Sequence, residues 1–69
     1  MGNNLEKVNI YQELEKSKAE WELALKQFEY ITDTDAIDAA AYKILATERK
    51  YIYLLQQIEQ LELQEKSEV

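Results

Sequence analysis

No proline and no glycine interrupts the chain between Leu5 and Val69, so nothing in that stretch forces a helix to break. Ala, Leu, Glu, Lys and Gln dominate it, and all five are good helix formers. With 69 residues the chain is long enough for one small domain, residues 1–69, which buries little surface by itself. We therefore predict an all-α chain that must bury its apolar faces between helices.

Two stretches carry mostly apolar residues at alternating intervals of three and four, the spacing of one helical face. We call these positions the seam residues. In the first half of the chain they are Ile10, Leu14, Ser17, Trp21, Ala24, Phe28 and Ile31. In the second half they are Ile37, Ala40, Ile44, Thr47, Tyr51, Leu54, Ile58 and Leu61.

Between the two stretches, residues 31–35 form the one interior cluster of short polar side chains, which is typical of a turn. We predict a first helix over about 5–31, a turn over 32–34 and a second helix over about 35–65, with frayed ends. The result is an antiparallel, coiled-coil-like two-helix hairpin. A single long helix is the alternative, because only this cluster interrupts the pattern.

Asp33 or Thr34 would cap the second helix by accepting a backbone N–H. The Asp33-x-Asp35 spacing also begins like a calcium loop, but position twelve holds Ile44 where such a loop needs glutamate. We therefore expect turn formation and capping, and no bound metal.

Composition excludes most enzyme chemistry. The chain has no His and no Cys, so the commonest general base, thiol catalysis and Cys-based zinc sites are absent. We expect no enzymatic activity, no cofactor and no small-molecule substrate.

The charge of the chain bears on its partners. Fourteen acids against eight bases give a net charge of −6 and no basic stripe, so we expect neither nucleic acid nor anionic membrane as a partner. No signal peptide and no spanning segment is recognisable, which predicts a cytoplasmic protein.

If the chain reverses direction at residue 34, the residues that face each other across the two helices can be predicted. Facing residues then sum to 68, and from Phe28 to Tyr51 each large seam residue meets a small one. This alternation keeps the volume between the helices constant. The expected seam pairs include Trp21–Thr47 and Ser17–Tyr51. Beside the seam, we expect Gln27–Lys43 on one flank, with a sum of 70, and Lys18–Glu48 on the other, with a sum of 66.

One flank of this hairpin is more apolar than a single seam requires, and on the second helix the apolar arc spans roughly 160°. The charged exception within it is Glu48. We predict that the flank is covered by a second copy, giving a four-helix-bundle homodimer, or by the helices of another protein. We call its apolar residues the association face: Tyr11, Leu25, Ala41, Leu45, Ile52 and Leu55.

Three further tyrosines fall outside the seam: Tyr30, Tyr42 and Tyr53. They could be interface anchors or ordinary surface residues, and we do not expect base stacking on them.

The stretch from Trp21 to Leu55 resembles the YaaL-like family of small uncharacterised proteins of spore-forming Gram-positive bacteria. The residues that carry the resemblance are Trp21, Phe28, the run from Tyr30 to Ala40, Ala46, Glu48 to Tyr51, and Tyr53 to Leu55. That family tends to have proline where Thr34 stands, which would make Asp33 the cap. The resemblance implies a short cytoplasmic helical protein and carries over no catalytic residues.

A second resemblance is to the hairpin phosphatases of the Spo-zero-E type, which act on response regulators and carry a Ser-Gln-Glu-Leu-Asp motif on their second helix. Here the segment Tyr11-Gln12-Glu13-Leu14-Glu15 is similar, but it differs in two residues and lies on the first helix. It implies a phosphorelay regulator acting through Gln12 and Glu13, which is the alternative to an association protein.

Overall fold

Two helices make up the computed structural model, which describes residues 2–67 of the backbone and the side chains of residues 9–66. Helix α1 runs over Gly2–Phe28 and helix α2 over Thr34–Ser67, and no strand occurs in this described part of the chain. The all-α prediction is confirmed.

Contacts between the helices are nested, as an antiparallel hairpin requires. The joined pairs are Gln27 with Lys43, Trp21 with Tyr51, and Tyr11 with Glu62. The molecule measures 54 × 17 × 14 Å, and a 34-residue helix accounts for about 51 Å of the longest dimension. Its radius of gyration is 16.0 Å, where a compact domain of this length would have about 11 Å. The hairpin is therefore a rod in which one helix can shield only one side of the other.

The seam residues lie between the helices. Ser17, Ala24 and Ile58 are buried, and all but one of the others are half-buried; the exception, Phe28, lies at the turn end of α1 and is 37% exposed. The small side chains of Ser17 and Ala24 allow the helices to approach closely. The three- and four-residue spacing thus located the core correctly.

Two aliphatic hydroxyl groups lie in the seam, those of Ser17 and Thr47, and each is satisfied within its own helix. Ser17 Oγ donates to the Leu14 carbonyl at 3.0 Å, and Thr47 Oγ1 lies 2.8 Å from the Lys43 carbonyl and 3.0 Å from that of Ile44. Such back-bonding is the usual way for a helix to hold a buried serine or threonine. Among the described side chains, no buried polar atom lacks a partner.

Helix α1 ends at Phe28, three residues before the predicted end at Ile31. Its last turn is closed by three successive i→i−3 bonds, in which Glu29, Tyr30 and Ile31 donate to the carbonyls of Lys26, Gln27 and Phe28 at 3.2–3.3 Å. No described residue has a positive φ, so the helix ends without a left-handed cap. The tighter turns bring Ile31 back against α2, where it is half-buried.

Helix α2 begins at Thr34, and the connection from α1 is residues 29–33 rather than the predicted 32–34. The Ile37 N–H donates to the Asp33 carbonyl at 2.8 Å, which places Asp33 at the capping position just before the helix. Asp35 follows in the first turn, where the helix dipole favours a carboxylate. The cap formed by the Asp33 side chain itself stays a prediction.

The expected alternation of large and small residues fails at the centre of the hairpin. The rings of Trp21 and Tyr51 lie against each other, with centroids 5.7 Å apart and planes inclined by 30°. Side chains on a helix lean toward its N-terminus, so in an antiparallel pair their tips meet at a higher residue sum than the backbones do. This pair sums to 72, and Gln27–Lys43 and Tyr11–Glu62 sum to 70 and 73, so the side chains meet at higher sums than the predicted 68, in the direction of this lean. Large meets large here because neighbouring Ser17 is small.

Candidate association site

All six residues of the association face follow a seam residue directly in sequence. Because both helices are right-handed and run in opposite directions, positions one residue after the seam lie on the same side of the hairpin. Tyr11 follows Ile10 and Glu62 follows Leu61, and a hydrogen bond between their side chains demonstrates this shared side. The structure therefore brings both halves of the predicted face together.

The large side chains of this face are strongly exposed. Tyr11, Leu25, Leu45 and Ile52 are each 43–45% exposed, Ala41 is exposed, and Leu55 is half-buried against the seam. On α2 they form one stripe with intervals of four, three, four and three residues: Ala41, Leu45, Glu48, Ile52 and Leu55. Isolated exposed apolar residues are ordinary on protein surfaces, but a contiguous stripe marks an interaction site.

Charged side chains also share this side, since seven acids and one base follow seam residues directly: Glu15, Glu22, Glu29, Asp38, Glu48, Glu59 and Glu62, with Lys18. Glu48 is half-buried between Leu45 and Ile52 on α2, and Lys18 is exposed on α1, directly after Ser17. A carboxylate inside an apolar stripe is costly to cover unless the covering surface supplies a donor. Any partner for this face must therefore present apolar side chains with a cation opposite Glu48.

At the open end of the hairpin, the Tyr11 hydroxyl donates a hydrogen bond to Glu62 Oε1 at 2.8 Å. That bond raises the pKa of Tyr11 above its usual 10.0, because ionised tyrosine could not donate it; desolvation and the carboxylate charge act in the same direction. The bond ties the ends of the two helices together while the phenol is neutral.

The Tyr11 phenol should consequently titrate above pH 10.0, and Glu62→Ala should lower its midpoint. A raised pKa in the folded state means that this interaction contributes fully below pH 10 and is lost as the pH rises through the folded midpoint. A carbon-13 NMR titration of the Tyr11 ring would measure both. Glu59→Ala removes the same charge one turn away and should leave the midpoint in place; an equal shift would assign the effect to overall charge.

The opposite flank, formed by residues just before seam positions, is largely polar. It carries Glu20 and Gln27 on α1 and Lys43 and Lys50 on α2. Lys43 Nζ contacts Gln27 Oε1 at a long 3.5 Å, which is one of the predicted pairs. The two flanks of the hairpin are thus chemically different, and the apolar one lacks a cover.

The remaining candidate residues are dispersed over the surface. Gln12 and Glu13, the basis of the phosphorelay alternative, are exposed on α1. Tyr30, in the turn, is 82% exposed, and Tyr42 and Tyr53 on α2 are 78% and 59% exposed.

Within the described residues, no three carboxylates come close enough to hold a metal ion. No helix in the same part of the chain is long and apolar enough to cross a bilayer.

Comparison with known proteins adds one finding. The family model described as "Protein of unknown function (DUF2508)" matches residues 3–64, which is nearly all of the chain and includes both helices and the turn. No curated protein and no solved structure gives a significant match.

Proposed function

Because the chain belongs to the DUF2508 family, whose function is unknown, we propose its role from the site itself: it acts without catalysis, by association of two copies through the association face. The observation that carries this proposal is the contiguous apolar stripe on one flank, whose large residues are 43–45% exposed. Two hairpins paired on that flank would form a four-helix bundle.

The exposed area of the hairpin supports a partner of this size. Its accessible surface is 5780 Å², whereas a compact monomer of 8.2 kDa would expose about 4,500 Å². The excess of about 1,300 Å² exceeds the roughly 800 Å² that each partner buries in a standard interface. A second copy could therefore cover the face and bring the exposed surface per chain close to that of a compact protein.

A second copy can supply the cation that Glu48 needs. In a two-fold dimer each contact occurs twice, so the face must complement itself. At Glu48, in the middle of the apolar stripe, this requirement is met when Lys18 of one copy approaches Glu48 of the other. The pair would supply the donor that the half-buried carboxylate needs.

We also propose that this chain is a YaaL-like protein, and that it is cytoplasmic, as that resemblance implies. Both fit a small acidic helical protein with no enzymatic role, acting through a partner or through its own second copy. The phosphorelay alternative gains no support, because Gln12 and Glu13 are exposed on α1 without further features of a site.

Molar mass by light scattering over a range of concentrations tests the proposal. We expect a concentration-dependent mass approaching twice 8.2 kDa. A folded chain that stays at 8.2 kDa at every concentration would contradict self-association and leave the face for a different protein.

A further inference from the structure

A second surface, the basic–aromatic patch, lies on the outer side of α2, beside the association face. Its core residues recur at intervals of four, three and four, so they form one stripe about 17 Å long. These core residues are Tyr42, Ala46, Arg49 and Tyr53, and Lys43 and Lys50 lie beside them. All six side chains are exposed, the two tyrosines by 78% and 59%.

The patch is positive in a chain whose net charge is −6. Its three cations share the surface with no acid of α2: Asp35 and Asp38 lie before it, Glu59 after it, and Glu48 on the opposite flank. Glu20 of α1 lies on the same flank as Lys50, since both precede seam residues. Lys43 contacts only the neutral Gln27 oxygen at 3.5 Å, so Lys43 and Arg49 supply the uncompensated charge.

An apolar groove adjoins this patch at the turn end of the hairpin. Its volume is about 240 Å³, and it is open to solvent. Four alanines and one isoleucine form its walls, with Gln27 and Lys43 completing the lining: Ala24, Ile31, Ala36, Ala39 and Ala40. The early end of α1 creates this groove, because Ile31 lies outside the helix and folds back beneath α2. A groove of this composition accepts an aliphatic side chain and excludes a charge.

We infer that the groove and the basic–aromatic patch together bind an acidic amphipathic helix of another protein. Such a helix would place one aliphatic side chain in the groove and carboxylates against Lys43 and Arg49. Tyr42 and Tyr53 would cover its apolar edge, in the manner of aromatic anchors at protein interfaces. Tyrosine supplies large contact area with few torsion angles to restrict, which suits it to this role.

The surface favours a protein helix over single-stranded nucleic acid, although tyrosines beside bases could stack on nucleotides. A nucleic acid strand carries a charge at every nucleotide and would run from the patch onto Asp35 and Asp38 or onto Glu59. A protein helix can confine its carboxylates to the length of the patch. A phosphate backbone also offers no aliphatic group that could fill the apolar groove.

This inference uses other residues than the proposed dimer: the groove and Lys43 lie on the flank opposite the association face, whereas Tyr42 and Arg49 lie on the outer side of α2, three and four residues from Leu45. A bundle of two hairpins would leave one patch exposed on each outer side. The two surfaces can accordingly be tested with separate variants, and failure of one leaves the other standing.

The probe is a fluorescein-labelled helical peptide of about 16 residues with one leucine stripe and glutamates on its flanks, tested by anisotropy at low salt. We expect saturable binding that weakens about tenfold in Lys43→Glu/Arg49→Glu, since two favourable charge pairs become repulsive. Lys16→Glu/Lys26→Glu changes the net charge equally on the outer side of α1 and should leave affinity within about twofold. Tyr53→Ala should weaken binding while leaving the charge unchanged.

Three results would overturn the inference. The first is that the acidic peptide shows no saturable binding. The second is that both double variants weaken its binding equally. The third is that a peptide whose glutamates are replaced by glutamine binds with the same affinity. Tighter binding of an oligothymidylate of similar length, lost in Lys43→Glu/Arg49→Glu, would assign the surface to single-stranded nucleic acid instead. Far-UV circular dichroism of each variant checks that the hairpin is intact.

Discussion

Ile52→Glu should separate the two copies of the hairpin and weaken their association by about a hundredfold or more. Ile52 is 45% exposed in the single hairpin, so glutamate there can remain hydrated until a second copy arrives. Covering two such carboxylates without partners costs several kcal/mol, and about 2.7 kcal/mol already corresponds to a hundredfold in Kd. Sedimentation equilibrium over a wide concentration range would measure the change.

The matched control for this experiment is Leu23→Glu. Leu23 is 52% exposed and lies on the outer side of α1, away from both the seam and the association face, so the same kind of substitution should leave the mass unchanged. Loss of helix together with loss of the dimer in Ile52→Glu alone would still support the proposal, because it would mean that association stabilises the fold. Equal masses for the two variants would reject Ile52 as part of an interface.

Ile58→Ala should lower the free energy of unfolding by about 2–4 kcal/mol. Ile58 is only 5% exposed and fills the seam near the open end of the hairpin, where the loss of three methyl or methylene groups leaves a void between the helices. A domain of this size has only a few kcal/mol of stability, so the variant would be largely unfolded at moderate temperature. Urea unfolding followed by circular dichroism would give the difference.

Leu63→Ala provides the comparison, since Leu63 is on the same helix and 64% exposed. Its truncation to alanine should change stability by less than about 0.5 kcal/mol. Similar losses for the two variants would show that burial in the seam does not determine the stability of the hairpin. The pair also separates packing from helix propensity, because alanine is favoured in both positions.

The sequence was sufficient to predict the two helices and their seam because spacing determines which side chains face one another on a helix. It also placed the six residues of the predicted association face on one side of the hairpin, because each of them follows a seam residue; that this side binds a partner stays a prediction. The end of α1 could not be predicted in the same way. No glycine or proline marks it; it is closed by short i→i−3 bonds, and Ile31 beyond them lines the groove together with alanines of α2.

Two other features needed the structure. The Trp21–Tyr51 contact depends on the lean of both side chains, which a register of facing residues ignores. The basic–aromatic patch was not predicted, because tyrosines outside the seam and bases on a helix surface are each ordinary when taken singly. Its signal was present in the sequence as the spacing of Tyr42, Ala46, Arg49 and Tyr53, and the groove beside it became evident only from the shortened α1.

The contact between Trp21 and Tyr51 gives the hairpin an internal optical reporter. Trp21 is the one tryptophan of the chain, and its ring lies 5.7 Å from a tyrosine ring on the other helix, well within the range of resonance energy transfer. Tryptophan emission excited through tyrosine will therefore depend on whether the two helices are closed. The opening and closing of this molecule can be followed in time, without any label, from a signal that originates at the centre of the seam.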